Sequence, residues 1–170
     1  MSRQLLSVLF AVVALLITPG ARTYEPDISE DLARARKAWE LGDELRRKAL
    51  HDFQLLEQQE NAYDQAEKFF CDALKKDPKN PYALTDFGRF WLARREYIQA
   101  RSRLEAAMNS PRAKILTDSE LADIYRMLGG LLERAGDIDQ ALDYYKKALN
   151  KSPDDTRNLL SLAIGLCAAG

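Results

Sequence analysis

The side chains able to do chemistry in this 170-residue chain are sparse: one histidine, His51, and two cysteines, Cys71 and Cys167. None stands in a pattern that activates a nucleophile or holds a metal. The chain has no CxxC, no HExxH, no GxSxG and no Gly-rich phosphate loop. Acidic residues are plentiful, yet their spacing scatters them over helix faces instead of pairing two in a buried dyad. No enzymatic activity, cofactor or metal site is therefore expected. What remains is recognition chemistry: charge-assisted hydrogen bonds from Lys and Arg to carboxylates, and contact between apolar helix faces.

Composition limits the kinds of partner. Lys plus Arg is 25 against 26 Asp plus Glu, a formal net charge of -1, so there is no global positive field for nucleic acid. With 46% hydrophobic and 30% charged residues, the chain is neither disordered nor a disulfide scaffold. Any charged partner must be met by a local patch.

The elements that would position such a patch begin after residue 21. Leu5 to Ile17, LLSVLFAVVALLI, is an uncharged apolar run preceded by Arg3. It falls short of the roughly 20 apolar residues of a comfortable membrane span. Residues 1–21 thus read as a signal peptide or membrane anchor, and Thr18 and Gly20 fit cleavage before Ala21. Against export, Arg22, Arg34, Arg36 and Lys37 outnumber Arg3, which favours an anchor with its body facing the cytosol. Three locations stay open: exported to the periplasm or secreted, anchored with membrane contact through residues 5–17, or anchored and cytosol-facing.

In the remainder, apolar residues recur at three and four spacing and no stretch alternates with period two, so the fold class is all-α. Asp27 and Glu30 are placed as a capping pair, and Leu32, Ala35, Trp39 and Leu45 recur behind them. Residues 22–46 therefore read as an N-terminal helical cap, or merge into one long helix with residues 47 onward. The segment 122–155 then returns upstream at 81–114 and more weakly at 47–80, and begins again at 156–170. Its residues are Tyr125, Leu128, Gly129 and Leu132, the turn Gly136-Asp137, then Ala141, Tyr145, Ala148 and Pro153. The second unit offers Leu84, Phe87, Gly88, Trp91, Ala100, Leu104, Ala107 and Pro111. The first offers Ala66, Phe70, Ala73 and Pro78, with Gln54 where a small residue is wanted.

This pattern resembles the tetratricopeptide repeat (TPR), a helix-turn-helix unit of about 34 residues. The resemblance implies a TPR-type α-solenoid of about three and a half repeats, the TPR domain covering 47–170, in which no unit buries its apolar face alone. Gly88 and Gly129 are 41 residues apart. The seven extra residues, around Ile115 to Leu121, form a loop or lengthen a helix, and Thr117 or Asp118 with Glu120 looks like a helix start.

The resemblance also implies a concave groove lined by each unit's first helix. Its lining would include Lys48 and His51, Tyr82 and Arg89, Arg126, and Arg157, Leu160 and Ile164. With Asp123, Glu133 and Arg134 in the same columns, five Lys or Arg and two acidic side chains line the groove, so the groove is +3 and the rest of the chain -4. One reading is a groove for an acidic or C-terminal carboxylate segment. Arg89 and Arg126 are then the central donors, Tyr82 an aromatic wall, and Lys48, His51 and Arg157 outer contacts. The other is solvated charge with no partner. Some family members hold chaperone C-termini in a clamp of Lys and Asn; the matching positions here are His51, Leu55, Asp86, Asp123 and Met127, so the clamp is missing. Asp86 and Asp123 would also repel a carboxylate.

The last helix, rich in Leu159, Leu160, Leu162, Ile164 and Leu166, is apolar nearly all round, a surface for self-association or for a partner helix. Cys71 and Cys167 lie about two and a half units apart and are not expected to pair. The activity expected is a non-enzymatic protein-protein interaction scaffold. An envelope-assembly factor of the pilus or outer-membrane type and a membrane-anchored adaptor are the alternatives.

Overall fold

Seven α-helices and one short 3-10 turn account for the regular structure of the computed structural model, which describes residues 27–48 and 53–170; no strand occurs among them. The helices are α1 (Ser29–Lys48), α2 (Phe53–Lys76), α3 (Pro81–Ala93), α4 (Tyr97–Met108), α5 (Asp118–Arg134), α6 (Ile138–Lys151) and α7 (Thr156–Ala168), with the 3-10 turn at Ala113–Ile115. Consecutive helices pair as antiparallel hairpins, α1 with α2, α3 with α4 and α5 with α6, and α7 packs on α6 and the start of the last hairpin. This is the all-α solenoid that the repeat pattern implies.

Local chemistry sets the helix ends. The Asn80 side chain accepts from the backbone N–H groups of Tyr82 and Ala83 ahead of Pro81, whose missing N–H costs nothing at a first turn. Thr117 and Glu120 form a reciprocal capping box, so the seven extra residues resolve into the 3-10 turn and the cap of α5. The tight turns within the second and third hairpins place Arg95 (φ 64°) and Gly136 (φ 83°) at equivalent positions in the left-handed region. Glycine adopts that conformation freely, and arginine does so at a cost.

The first hairpin departs from the expected division of 22–46 as a cap and 47–80 as a repeat. A boundary at 46/47 falls inside α1, and α2 is one unbroken helix of 24 residues, with no Gly or Pro to turn it. Residues 29–48 are therefore the opening helix of the first hairpin. Its Leu32 and Ala35, with Ile28 just ahead of it, lie in one core with Ala66, Phe70 and Ala73 of α2. The helices approach so closely at Gly42 that a Cβ there would lie 2.4 Å from the Tyr63 ring. In an antiparallel pair, seven residues back on α1 is seven forward on α2, which sets Ala35 opposite Phe70. Ala35 thus takes the small-residue column held by Gly88 against Leu104 and by Gly129 against Tyr145, each within 2.8 Å of a would-be Cβ.

The core is continuous across the hairpin seams. Phe70 stacks on Phe87 with centroids 5.2 Å apart, and Phe90 meets Trp39, Tyr63 and Trp91 edge-on. A second cluster of Leu84, Leu104, Leu116, Ile124 and Leu128 joins α3, α4 and α5.

Candidate functional site

Two surfaces emerge from this register. The first is a ladder of alternating charge along the opening helices. Arg36 follows Ala35 as Arg89 follows Gly88, and each arginine reaches an aspartate on the next opening helix. Arg36 donates through Nε to Asp86 Oδ2 at 2.7 Å, and Arg89 donates through Nη2 to Asp123 Oδ2 at 3.2 Å. Arg89 also lies 3.7 Å from Asp86, one turn back on its own helix. Asp123 then takes Arg126 at 2.8 Å and Arg157 at 3.4 Å, and Arg157 is held by Asp155 at 2.6 Å. That last pair holds the Asp155 carboxyl below its ordinary value, through hydrogen bonds from Arg157, and raises the Arg157 guanidinium.

The structure therefore brings Arg89, Arg126 and Arg157 together, as the repeat columns imply, but around Asp123. A carboxylate from a partner would have to compete with one already in place. Within this cluster the buried Nε of Arg126 has no hydrogen-bond partner. Tyr82 is not an open aromatic wall: its hydroxyl donates to the Ile115 carbonyl at 3.0 Å and its ring packs on the core of the second hairpin. Lys48, at the end of α1, pairs with Glu44 on its own helix, and its contact draws the Glu44 carboxyl down. His51 lies outside the described residues. With Ala35 in the small-residue column, the two clamp positions expected at His51 and Leu55 move to Leu32, which is buried, and Arg36, which Asp86 occupies. Arg36 and Asp155 are ladder members that sequence reading passed over. The signal for Arg36 was its place directly after a buried small residue.

The second surface is α7. Asn158 and Gly165 face inward: Asn158 is fully buried and donates to the carbonyls of Ala148 and Ser152, and a Cβ at Gly165 would lie 3.0 Å from the Tyr145 ring. The opposite side is open. Leu159, Leu160, Ile164 and Leu166 are 49%, 62%, 50% and 52% exposed, an accumulation of apolar side chains without parallel on α3, α5 or α6. Cys167 beside them is exposed and free, and burial raises the thiol of the half-buried Cys71.

Among the described residues no group of three His, Cys, Asp or Glu could hold a metal ion, and no helix is long and apolar enough to cross a membrane.

Comparison with known proteins places this geometry. Residues 122–164 match the tetratricopeptide repeat family model. The sequence matches no curated protein. Among solved structures, the chain is similar to TTC0263, a thermophilic TPR protein of Thermus thermophilus (TM-score 0.58, 21% identity, 79% of this chain and 66% of that one). It is also similar to pilF of Pseudomonas aeruginosa (TM-score 0.55, 18% identity, 81% and 70%). A third similar structure is the second TPR domain of human RPAP3 in complex with the HSP70 peptide SGPTIEEVD (TM-score 0.53, 12% identity, 79% and 97%). At these identities the likeness establishes the fold, a TPR-type solenoid.

Proposed function

We propose that this protein is a non-enzymatic interaction scaffold that engages a protein partner chiefly through the apolar face of α7, with the charge ladder of the opening helices beside it. The observation that carries this reading is the exposure of Leu159, Leu160, Ile164 and Leu166 on one helix, since an apolar patch of that kind on a soluble surface usually marks a contact site. Solenoids of this fold take peptides, as the RPAP3 domain does with its HSP70 peptide. The ladder argues against a bare carboxylate ligand here, because Asp86 and Asp123 already occupy its arginines. A segment of mixed charge suits it better than an acidic one. The test is a photo-crosslinking residue placed at Leu160, with one at Ile98 on α4, which is 84% exposed, as the control. One defined adduct at 160 and none at 98 supports the reading; identical adduct patterns at both sites would sink it.

The apolar run at residues 5–17 supports an exported or membrane-anchored scaffold. The envelope-assembly reading draws on that run together with the likeness to pilF. N-terminal sequencing after cell fractionation separates the cases: a start at Ala21 or Arg22 means export, and an intact start in the membrane fraction means an anchor.

A further inference from the structure

The three closing helices of the solenoid share one buried stripe: a small residue, three positions, a large apolar or aromatic residue, two positions, a small residue. It reads Ala66, Phe70, Ala73 on α2; Ala100, Leu104, Ala107 on α4; and Ala141, Tyr145, Ala148 on α6, each no more than 3% exposed. The opening helices receive that stripe on four columns. On α3 these are Leu84, Phe87, Gly88 and Trp91, and on α5 Tyr125, Leu128, Gly129 and Leu132, all buried or half-buried. Gly88 receives Leu104 and Gly129 receives Tyr145. The same columns on α7 are Leu159, Leu162, Ala163 and Leu166. Leu162 packs back on Leu132, Ala141 and Tyr145 of the last hairpin, while Leu159, Ala163 and Leu166 are exposed, and among the described residues no helix covers those three.

We infer that α7 is the receiving half of a fourth hairpin interface, and that its occupant is an amphipathic helix of a partner protein carrying the closing-helix stripe. This deepens the interaction reading and rests on it. The argument is continuity: the face repeats, column by column, an interface that the same chain makes twice, with Ala163 in the small-residue column that another alanine, Ala35, fills opposite Phe70 in the first hairpin. The face carries no charged side chain, so the partner is chosen by the spacing of small and large residues along its helix. A second copy of this chain is a poor occupant. Its own closing stripes are buried, and α7 reads Ser161, Gly165, Ala168 in the stripe spacing, with no large residue in the middle.

The probe is a stapled helical peptide copying Ile138–Lys151, titrated by fluorescence anisotropy onto the full chain. Saturable binding is expected. It should weaken by about tenfold or more, the effect of losing a central apolar anchor, for Leu159→Glu, Leu166→Glu and Ala163→Trp, and for a peptide whose central tyrosine is alanine. Circular dichroism melts show whether these exposed-site variants remain folded. Absence of binding, or binding indifferent to all of these changes, overturns the inference. Loss on Arg89→Glu alone would also overturn it while leaving an interaction scaffold standing. Sedimentation showing a dimer that Leu166→Glu dissolves would make a second copy the occupant and overturn it as well.

Discussion

Arg89 of α3 and Asp123 of α5 meet at 3.2 Å across the seam between two hairpins, and Asp123 serves Arg126 and Arg157 at the same time. One half-buried carboxylate thus bridges three guanidinium groups that the repeat columns bring to one surface. It sets both the cohesion of that surface and its attitude to anions.

Replacing this acid should reveal both roles. Asp123→Asn is expected to lower stability by about 1–2 kcal/mol, since three arginines lose their shared acceptor while remaining partly solvated. The same variant should bind an acidic peptide severalfold more tightly than wild type at low salt, because its cations are freed. Anisotropy titrations against ionic strength measure this, and equal affinities would mean that the arginines play no part in anion recognition.

Neighbouring glycines on α5 should respond in opposite directions. A Cβ at Gly129 would sit 2.6 Å from the Tyr145 ring and 3.2 Å from the Ala141 carbonyl, so Gly129→Ala should cost about 1–3 kcal/mol through overpacking. At Gly130 the nearest atom is the Tyr145 hydroxyl at 3.7 Å. Gly130→Ala should leave packing intact and gain up to about 1 kcal/mol of helix propensity. Urea unfolding of the two variants side by side is the measurement.

Arg95 holds a left-handed backbone that its counterpart Gly136 adopts without strain. Arg95→Gly is expected to stabilise the fold by about 0.5–1 kcal/mol, the relief of strain exceeding the added freedom of the unfolded chain. A lower melting temperature would show that the Arg95 side chain contributes more than its backbone costs.

Burial, with a hydrogen bond to Asp43, pushes the Tyr63 phenol up to about 12, and burial with a bond to Glu133 pushes Tyr145 up as well. A raised folded pKa makes the native state bind more protons than the unfolded one once the pH passes the ordinary tyrosine value. The contribution of Tyr63 to stability is therefore full below about pH 10 and is lost as the pH rises through about 12. Tyr63→Phe should flatten part of that alkaline decline. Thermal melts between about pH 9 and 12 check it, and an unchanged slope would show that Tyr63 titrates normally.

How far these features could be read in the sequence depends on the distance over which they are determined. The columns Gly88, Leu104, Gly129 and Tyr145 were legible because each is an ordinary three-and-four spacing within one helix, and Thr117 with Glu120 announced its helix start through a local capping box. The first hairpin was misdivided because its opening helix, Ser29–Lys48, lies upstream of the position where the repeat spacing sought it. The true column, Ala35, pairs with Phe70 across 35 residues, and only the close approach at Gly42 and Tyr63 sets that register. The ion pairs of the candidate anion site were hidden for a related reason. The arginines and the acids Asp86 and Asp123 were each legible on their own helices, while the contacts Arg36–Asp86, Arg89–Asp123 and Arg157–Asp123 cross between helices.

By itself, then, the sequence determined the helical class, the repeat period of the second and third units, the ends of most helices and the apolar character of α7. All follow from side-chain spacing within a turn or two and from the backbone demands of Asn80, Pro81, Thr117 and Gly136. Tertiary structure alone decided that α1 opens the first hairpin, that Asp86 and Asp123 close the ladder, and which side of α7 stays open. Those outcomes depend on the offset between stacked hairpins, which sums packing along the whole solenoid and is written in no single repeat.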